Sequence, residues 1–487
     1  MIKNIKILIV DDTYEKIQVL ASIIKELEGC DVDYCMSSKD AIRKLRSQYF
    51  DLMVVDLQIP SELGEPLNPK GGQELIEFCT LNESLKKPTH IIGLTSHRDS
   101  YDVCEEFFHR EGWPLLLGVG DKDLIKNIDK DIVDEVIVGN ILSAGHAQGV
   151  GRQSSIYGGL PNSTVAYSLN MLCGSGMKAV MTAVSDIKAG NKDIVIAGGV
   201  ESMSQAPYLM PAKGRTGLGL GNVQVVDSMV NDALTDAFGG YHMGITAENI
   251  AKKYNISREK QDEYAIHSQK RAIKADDANK FVNEITPITI KSRKSETVFN
   301  KDEYINRRTS LEKLSTLRAA FKKEGTVTAG NASGINDGAS FTLIASANAV
   351  EKYGLKPLAE IIDSAQVGID PAFMGLSPAY AIEKLLKKND KHINDIDILE
   401  VNEAFAAQSL GVFEILKETF AVSDEVLNEK INVNGSSIAL GHPVGASGNR
   451  IIVTLLHEML KQKSTYGVAS LCIGGGLGTA VLLKSVE

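Results

Sequence analysis

Two cysteines and one histidine stand inside glycine-rich bends far apart in the chain. Cys173 lies in Leu172-Cys173-Gly174-Ser175-Gly176, His442 in Gly441-His442-Pro443, and Cys472 in Leu471-Cys472-Ile473. A thiol at a strand-to-helix bend has the helix dipole available to stabilise its thiolate. Glycines let a substrate approach the backbone, whose N–H groups then form an oxyanion hole. A histidine on a rigid turn is a candidate general base. A lone cysteine in an apolar stretch is usually core, and a lone histidine usually serves hydrogen bonding. Three such groups on three glycine bends instead point to covalent catalysis. No pair has the CxxC or HxxxH spacing of a metal site, so that use is set aside.

A second constellation sits at the front of the chain. The apolar runs Ile7–Val10, Val32–Met36, Leu52–Val55, His90–Thr95 and Pro114–Leu117 read as strands, with helical spacing over Thr13–Leu27 and Asp40–Arg46. This alternation predicts a parallel sheet with its site at the carboxyl ends of the strands. Asp11, Asp12 and Asp56 all fall at such ends, and Thr95 closes the fourth strand. One acid after a strand is usually a solvated cap. Three converging carboxylates repel unless a cation sits among them, and hard oxygen ligands suit Mg2+.

This constellation resembles the receiver domain of two-component response regulators over roughly residues 4–128. The resemblance implies Asp56 as phosphoacceptor, Asp11, Asp12 and Asp56 as the Mg2+ site, Thr95 as switch hydroxyl and a histidine kinase as phosphodonor. The family places a lysine after the fifth strand, where this chain reads Leu115-Leu116-Leu117-Gly118; Lys122 is the nearest candidate. The loop after Pro60, SELGEPLNPKGG, is longer than the family's usual turn.

From about Ile132 the texture changes, with frequent glycine and glycine-bounded strands such as Ile194–Ala197. GSGMKAV after Cys173 is echoed by GASGNRI after Val444, and DIVIAGG by VASLCIGGG. Two similar halves packed together would produce this echo. A polar, helix-rich insertion spans roughly residues 202–326. GLGLG at Gly217 lacks the strand before it and the helix after it that a phosphate loop needs, so it reads as a mobile loop.

A chain of 487 residues exceeds one core, which predicts two or three domains. The predicted division is 1–130, 131–350 and 351–487. A net charge of −10 argues against non-specific nucleic-acid binding. No segment has the length of a membrane span. Six cysteines in a chain of this size are not a disulfide framework. Cys30, Cys35, Cys79 and Cys104 read as buried or half-buried free thiols, and a reducing cytoplasm is the expected location.

NMLCGSG, VNEAFAAQ, GHPVGASG and LCIGGGLG together make the chain from about Ile132 resemble a thiolase of the short-chain acetyl-CoA acetyltransferase type. The resemblance implies a five-layered pair of βαβαβαββ halves, with a loop domain covering coenzyme A. It implies condensation of two acetyl-CoA to acetoacetyl-CoA, or the reverse thiolysis, with CoA thioesters as substrates and no further cofactor. Cys173 would be the acylated nucleophile, His442 would raise its thiolate character, and Cys472 would move the α-proton. The N–H groups of Cys173 and Gly474 would hold one oxyanion, and Asn402 (through a water) with His442 the other. Coenzyme A contacts carry over onto Leu234, His242, Met243, Ser333, Met374, Ala404 and Phe405. Bulky side chains there imply a short acyl pocket. Arg307-Arg308 is a candidate for the CoA phosphates, although surface arginine pairs are usually just solvated. A homo-oligomer is the expected assembly.

The first half lacks the opening strand and helix that the second half carries as Leu358–Ser364 and Ala379–Lys388. The resemblance implies that the absent strand lies mid-sheet, where its loss would leave backbone groups unpaired. His90–Thr95 with the helix after it is a candidate to fill such a gap, at the cost of dismantling the receiver. Three readings stand: an acetyltransferase fused to a receiver that regulates it, a signalling module with a catalytically dead thiolase part, and a join of two unrelated segments.

Overall fold

The computed structural model describes residues 5–25, 30–68, 70–82, 84–95, 104, 107–108, 115–117, 130–291 and 295–486. The chain divides into two compact units, Met1–Asn127 and Ile128–Glu487.

The first unit is a five-stranded, all-parallel sheet. Strands β1 (Ile5–Val10), β2 (Cys30–Cys35), β3 (Leu52–Asp56), β4 (His90–Thr95) and β5 (Leu115–Leu117) lie in the order β2-β1-β3-β4-β5. Ile7–Val10 and Met53–Asp56 are buried without alternation, as expected of central strands covered on both faces. Helices α1 (Tyr14–Lys25), α2 (Ser38–Ser47) and α3 (Gly71–Leu81) supply part of that cover. The Ser37 side chain caps α2 by accepting from the Asp40 N–H, and Ala41 and Leu45 face the core. β4 pairs with both β3 and β5, so His90–Thr95 belongs wholly to this sheet and fills no gap elsewhere.

In the second unit, two four-stranded sheets enclose a layer of helices. Strands β6 (Glu135–Gly139), β7 (Val165–Leu169) and β8 (Ile194–Ser202) join the strand Asp337–Ala345 in the order 337–345, β8, β6, β7. The other sheet runs Ala359–Gly368, Leu477–Ser485, Tyr466–Ile473, Ile398–Val401. Between them lie the helices Ser175–Lys188 and Val444–Gln462. Met177, Val180, Ile451 and Leu455 on these helices share one apolar cluster with Ile137 and Val195 of one sheet and Leu471 and Val481 of the other. On the outer face of the second sheet, Ser377–Lys388 and Ala406–Phe420 bury Leu385, Val412 and Leu416 against Val468 and Leu482.

The sheet orders correct one expectation. In the second half the opening strand, Ala359–Gly368, lies at the sheet edge, antiparallel to Leu477–Ser485. Its counterpart in the first half, not found among the described residues, would therefore lie beside Asp337–Ala345, at an edge, not mid-sheet. The remaining ladder is intact: Asp337–Ala345 pairs along its whole length with β8. The two strands differ in exposure instead. Six residues of Leu477–Ser485 are buried, whereas Ile344 alone is buried in Asp337–Ala345. Phe341 and Leu343 of that strand, with Ile196 and Val200 of β8, stay half-covered on the outer face, where no helix equivalent to Ser377–Lys388 is found among the described residues.

The insertion carries the helices Met243–Lys253 and Arg258–Asp277 and a hairpin of Ile288–Lys291 with Glu296–Phe299. Buried Glu403 ties the longer helix to the second half, accepting from the Tyr264 hydroxyl at 3.0 Å and the Ser268 hydroxyl at 2.6 Å. GLGLG lies in a loop, with Gly217, Gly219 and Gly221 at positive φ.

Candidate functional site

Cys173 sits between β7 and the helix Ser175–Lys188, just after Leu172, a non-glycine residue with φ of 48°. That left-handed turn costs about 1–2 kcal/mol and is held by neighbours. The Asn170 carboxamide oxygen accepts from the Leu172 N–H at 2.9 Å. The Ser175 hydroxyl donates to the Leu172 carbonyl at 2.7 Å and accepts from the Met171 N–H at 2.8 Å. The two central helices meet at their N-terminal ends. A Cβ on Gly176 would lie 2.9 Å from the Asn449 nitrogen, and one on Gly448 would lie 2.5 Å from the Met177 nitrogen. Only glycine permits that approach, which brings the Cys173 and His442 bends to one place.

The backbone N–H groups of Gly474 and Cys173 favour a negative charge on the Cys173 sulfur. Burial outweighs them and pushes the thiol up to about 11. At neutral pH Cys173 therefore rests as a thiol and needs a base. Cys472 closes the strand Tyr466–Ile473 and is 1% exposed. Burial raises its thiol strongly, and the nearby Cys173 charge adds to the shift.

His442 is in a protonation state suited to that need. Burial, then the Arg450 charge, lowers its pKa to about 4, so it is neutral at neutral pH. Its Nδ1 lies 2.6 Å from the Ser447 hydroxyl oxygen. That hydroxyl gives its one proton to the Pro443 carbonyl at 2.9 Å, so it accepts from His442. Nδ1 therefore carries the proton and Nε2 keeps its lone pair. Asn336 Oδ1 accepts from the His442 backbone N–H at 3.0 Å and fixes the turn.

Asn402 is fully buried, and the Ser437 hydroxyl donates to its Oδ1 at 2.5 Å. Arg450 donates to that hydroxyl at 3.0 Å. The Asn402 amide nitrogen is buried with no protein partner, which suits a bound water or substrate oxygen.

The residues expected to line a coenzyme A channel fall into two groups. Met243, Met374, Ala404 and Phe405 share an apolar cluster with Cys472. Leu234 packs in another beside Leu172 and Cys173. His242 stacks on Phe321 at 4.5 Å, and its Nδ1 accepts from the Gly244 N–H at 3.1 Å. The Ser333 N–H donates to the Ala404 carbonyl at 3.0 Å. A cleft of about 400 Å3 is lined by Leu172, Asp236, Phe238, Met243 and Gly474. Of the arginine pair, Arg307 is held by Asp276 and Asp277, while Arg308 lines a second cleft of about 490 Å3 with Tyr304 and Lys313.

In the first unit Asp11, Asp56 and Thr95 are buried and Asp12 is half-buried, all at the carboxyl ends of strands or within two residues beyond. One oxygen from each of Asp11, Asp12 and Asp56 lies within 4.8 Å of the others. Asp11 Oδ1 accepts from the Thr13 N–H at 2.8 Å, and its Oδ2 is buried without a partner. Burial first, with the Asp56 charge adding, raises the Asp11 carboxyl to about 6. A convergent set with an orphaned oxygen fits a hard divalent cation such as Mg2+. Asp56 Oδ1 accepts from the Gln58 N–H at 2.9 Å, and Lys16 Nζ lies 3.1 Å from Oδ2. Lys122 lies outside the described residues.

Local reading missed Ser447, Asn336, Ser437 and Lys16. Ser447 was within reach, five residues past His442 in the same motif. Asn336 lies 106 residues from its partner, and nothing local marks it.

Two sheets around paired helices, with thiols and an imidazole at glycine bends, define an acyltransferase architecture. The chain belongs to the thiolase family and carries a response-regulator receiver domain ahead of its thiolase domains. Residues 122–348 match the thiolase N-terminal domain, 355–485 the thiolase C-terminal domain, and 7–108 the response regulator receiver domain. It is 52% identical over 353 residues to an acetyl-CoA acetyltransferase of Chromobacterium violaceum, covering 72% of this chain and 88% of that protein. A probable acetyl-CoA acyltransferase of Staphylococcus aureus is 49% identical over 356 residues, covering 73% and 88%. The crystal structure of the Bacillus anthracis acetyl-CoA acetyltransferase aligns with a TM-score of 0.70 at 41% identity, covering 75% of this chain and 91% of that one. Human mitochondrial 3-ketoacyl-CoA thiolase in complex with CoA gives 0.69 at 41%, covering 75% and 90%. No helix among the described residues is long and apolar enough to cross a membrane.

Proposed function

We propose that the second unit is an acetyl-CoA C-acetyltransferase working through an acyl-Cys173 intermediate. His442 Nε2 takes the thiol proton, and the Cys173 sulfur attacks the thioester carbonyl. Collapse of the tetrahedral intermediate breaks the carbon–sulfur bond to coenzyme A, which takes the proton of the Cys472 thiol and leaves. The Cys472 thiolate then takes the α-proton of a second acetyl-CoA, whose carbon attacks the acyl-Cys173 carbonyl; collapse breaks the bond to the Cys173 sulfur, which takes back the proton held on His442 Nε2. The product is acetoacetyl-CoA; thiolysis is the same sequence reversed. The N–H groups of Cys173 and Gly474 hold one oxyanion, and Asn402, through a water, with His442 holds the other. Leu234, His242, Met243, Ser333, Met374, Ala404 and Phe405 line the path of the pantetheine, and their bulk restricts the acyl group to short chains.

The observation that supports this reading is the close approach of the helices that follow the Cys173 and His442 bends, at Gly176 and Gly448. Cys472 lies near enough to Cys173 that ionising one thiol opposes ionising the other, and His442 presents an unprotonated Nε2. The test is acetoacetyl-CoA cleavage by the purified full-length chain, with Cys173→Ala as control. Activity abolished by that substitution supports the reading; a soluble, folded chain without activity sinks it. The half-covered edge Asp337–Ala345 favours a second reading, a thiolase part kept as a scaffold. That reading predicts the inactive outcome.

In the first unit Asp56 is the phosphoacceptor and Thr95 the switch hydroxyl, with a histidine kinase as donor. Asp11, Asp12 and Asp56 hold the Mg2+, which when bound neutralises charge on the incoming phosphoryl group. The assembly is a homo-oligomer in the cytoplasm.

A further inference from the structure

Asp56 already has a cationic partner, and it comes from an unexpected element. Lys16 is the third residue of α1 and stands four positions beyond Asp12. Side chains in a helix lean toward its N-terminus, so a lysine in the first turn reaches back over the strand ends where α1 begins. Its ammonium lies 3.1 Å from Asp56 Oδ2. Asp56 is 3% exposed, while the lysine side chain keeps 40% of its surface in solvent. It is thus anchored at its tip and free to adjust along its stem. Asp11, Asp12 and Asp56 have no other lysine or arginine in salt-bridge range among the described residues.

The two Asp56 oxygens are not equivalent. Oδ1 is engaged by the Gln58 backbone N–H, which fixes the carboxylate. Oδ2 faces Lys16 and is the one left to react. We propose that Lys16 is the catalytic cation of this receiver, pairing first with Asp56 Oδ2 and then with the phosphoryl group that forms on it. The proposal rests on Asp56 being the phosphoacceptor. In the step itself, an Oδ2 lone pair attacks the phosphorus of an acyl phosphate. A new oxygen–phosphorus bond forms as the bond to the departing carboxylate breaks, and that carboxylate leaves with the electron pair. Three buried or half-buried carboxylates repel the incoming anion. A cation that follows the negative charge from Oδ2 onto the phosphoryl oxygens lowers that barrier. A point-charge ammonium on a flexible stem suits that movement better than a fixed donor does.

The test labels the full-length chain with acetyl phosphate and Mg2+ and follows phosphoryl-Asp56 by intact mass. Lys16→Gln, Lys16→Arg and Lys122→Ala are compared, with Mg2+ affinity measured separately by calorimetry. The expected result is roughly a hundredfold slower labelling for Lys16→Gln, the scale for losing one preorganised charge contact. Lys16→Arg recovers part of the rate, and Lys122→Ala labels like the unaltered chain. Lys16→Gln binds Mg2+ at least as tightly as the unaltered chain, which separates lost charge pairing from a lost metal site. Labelling of Lys16→Gln at the unaltered rate overturns the proposal, and so does loss of labelling in Lys122→Ala alone. An unaltered chain that takes no label, while still binding Mg2+, overturns the phosphoacceptor reading of Asp56 and the proposal with it.

Discussion

His442 Nδ1 and the Ser447 hydroxyl oxygen lie 2.6 Å apart, and the direction of that bond is set by a third group. The Pro443 carbonyl consumes the serine proton at 2.9 Å, so the imidazole donates at Nδ1. A buried histidine with this tautomer is a base at Nε2 without any change of conformation.

Ser447→Ala removes the acceptor that selects the tautomer. The kcat for acetoacetyl-CoA cleavage should fall by about tenfold to a hundredfold, part of what a positioned general base contributes. KM should change little, because Ser447 is fully buried. Steady-state kinetics across pH checks both. Unchanged kcat would show that the tautomer is fixed by something else.

Burial of His442 also makes a stability prediction. Its folded pKa, about 4, lies below the ordinary 6.5. Between those values the unfolded chain takes up a proton that the native chain refuses. Stability is therefore full above pH 6.5 and falls as the pH drops toward 4. The loss approaches about 3 kcal/mol for this group. His457, lowered to about 4 by burial and then by Lys461, adds in the same direction. His442→Asn should lose less stability than the unaltered chain between about pH 7 and about pH 5 in urea titrations. An identical loss in both would remove His442 as a cause.

The half-covered strand Asp337–Ala345 predicts uneven protection from hydrogen exchange. Its counterpart Leu477–Ser485 is paired on both sides, with Ala359–Gly368 and with Tyr466–Ile473. Alternate amides of an edge strand have no ladder partner on the outer side, and edge strands open locally at low cost. Outward amides of Asp337–Ala345 should exchange on the timescale of loops, and those of Leu477–Ser485 near the global limit. Equal protection of the two strands would mean that the edge is covered.

The contrast between these strands also shows what local pattern reveals and what it does not. Cys173, His442 and Cys472 were legible because each sits in a glycine bend, a feature confined to a few consecutive residues. Strands β1 to β5 were legible because their apolar runs alternate with helical spacing. The position of the absent strand was misjudged because strand order depends on how the chain returns on itself. Here Ala359–Gly368 pairs with Leu477–Ser485, more than a hundred residues onward. The protonation of Cys173 was not legible for a related reason. The bend is local, but the burial that raises the thiol comes from residues brought together only by the fold.

The central claim is that Cys173 carries the acyl group. The direct measurement is mass analysis of peptides from the full-length chain, quenched in acid after mixing with acetoacetyl-CoA. The account predicts one acetyl group on the peptide containing Cys173, none on the peptide containing Cys472, and none anywhere in Cys173→Ala. Cleavage of acetoacetyl-CoA with Cys173 unmodified, or acetyl on Cys472 instead, would contradict it.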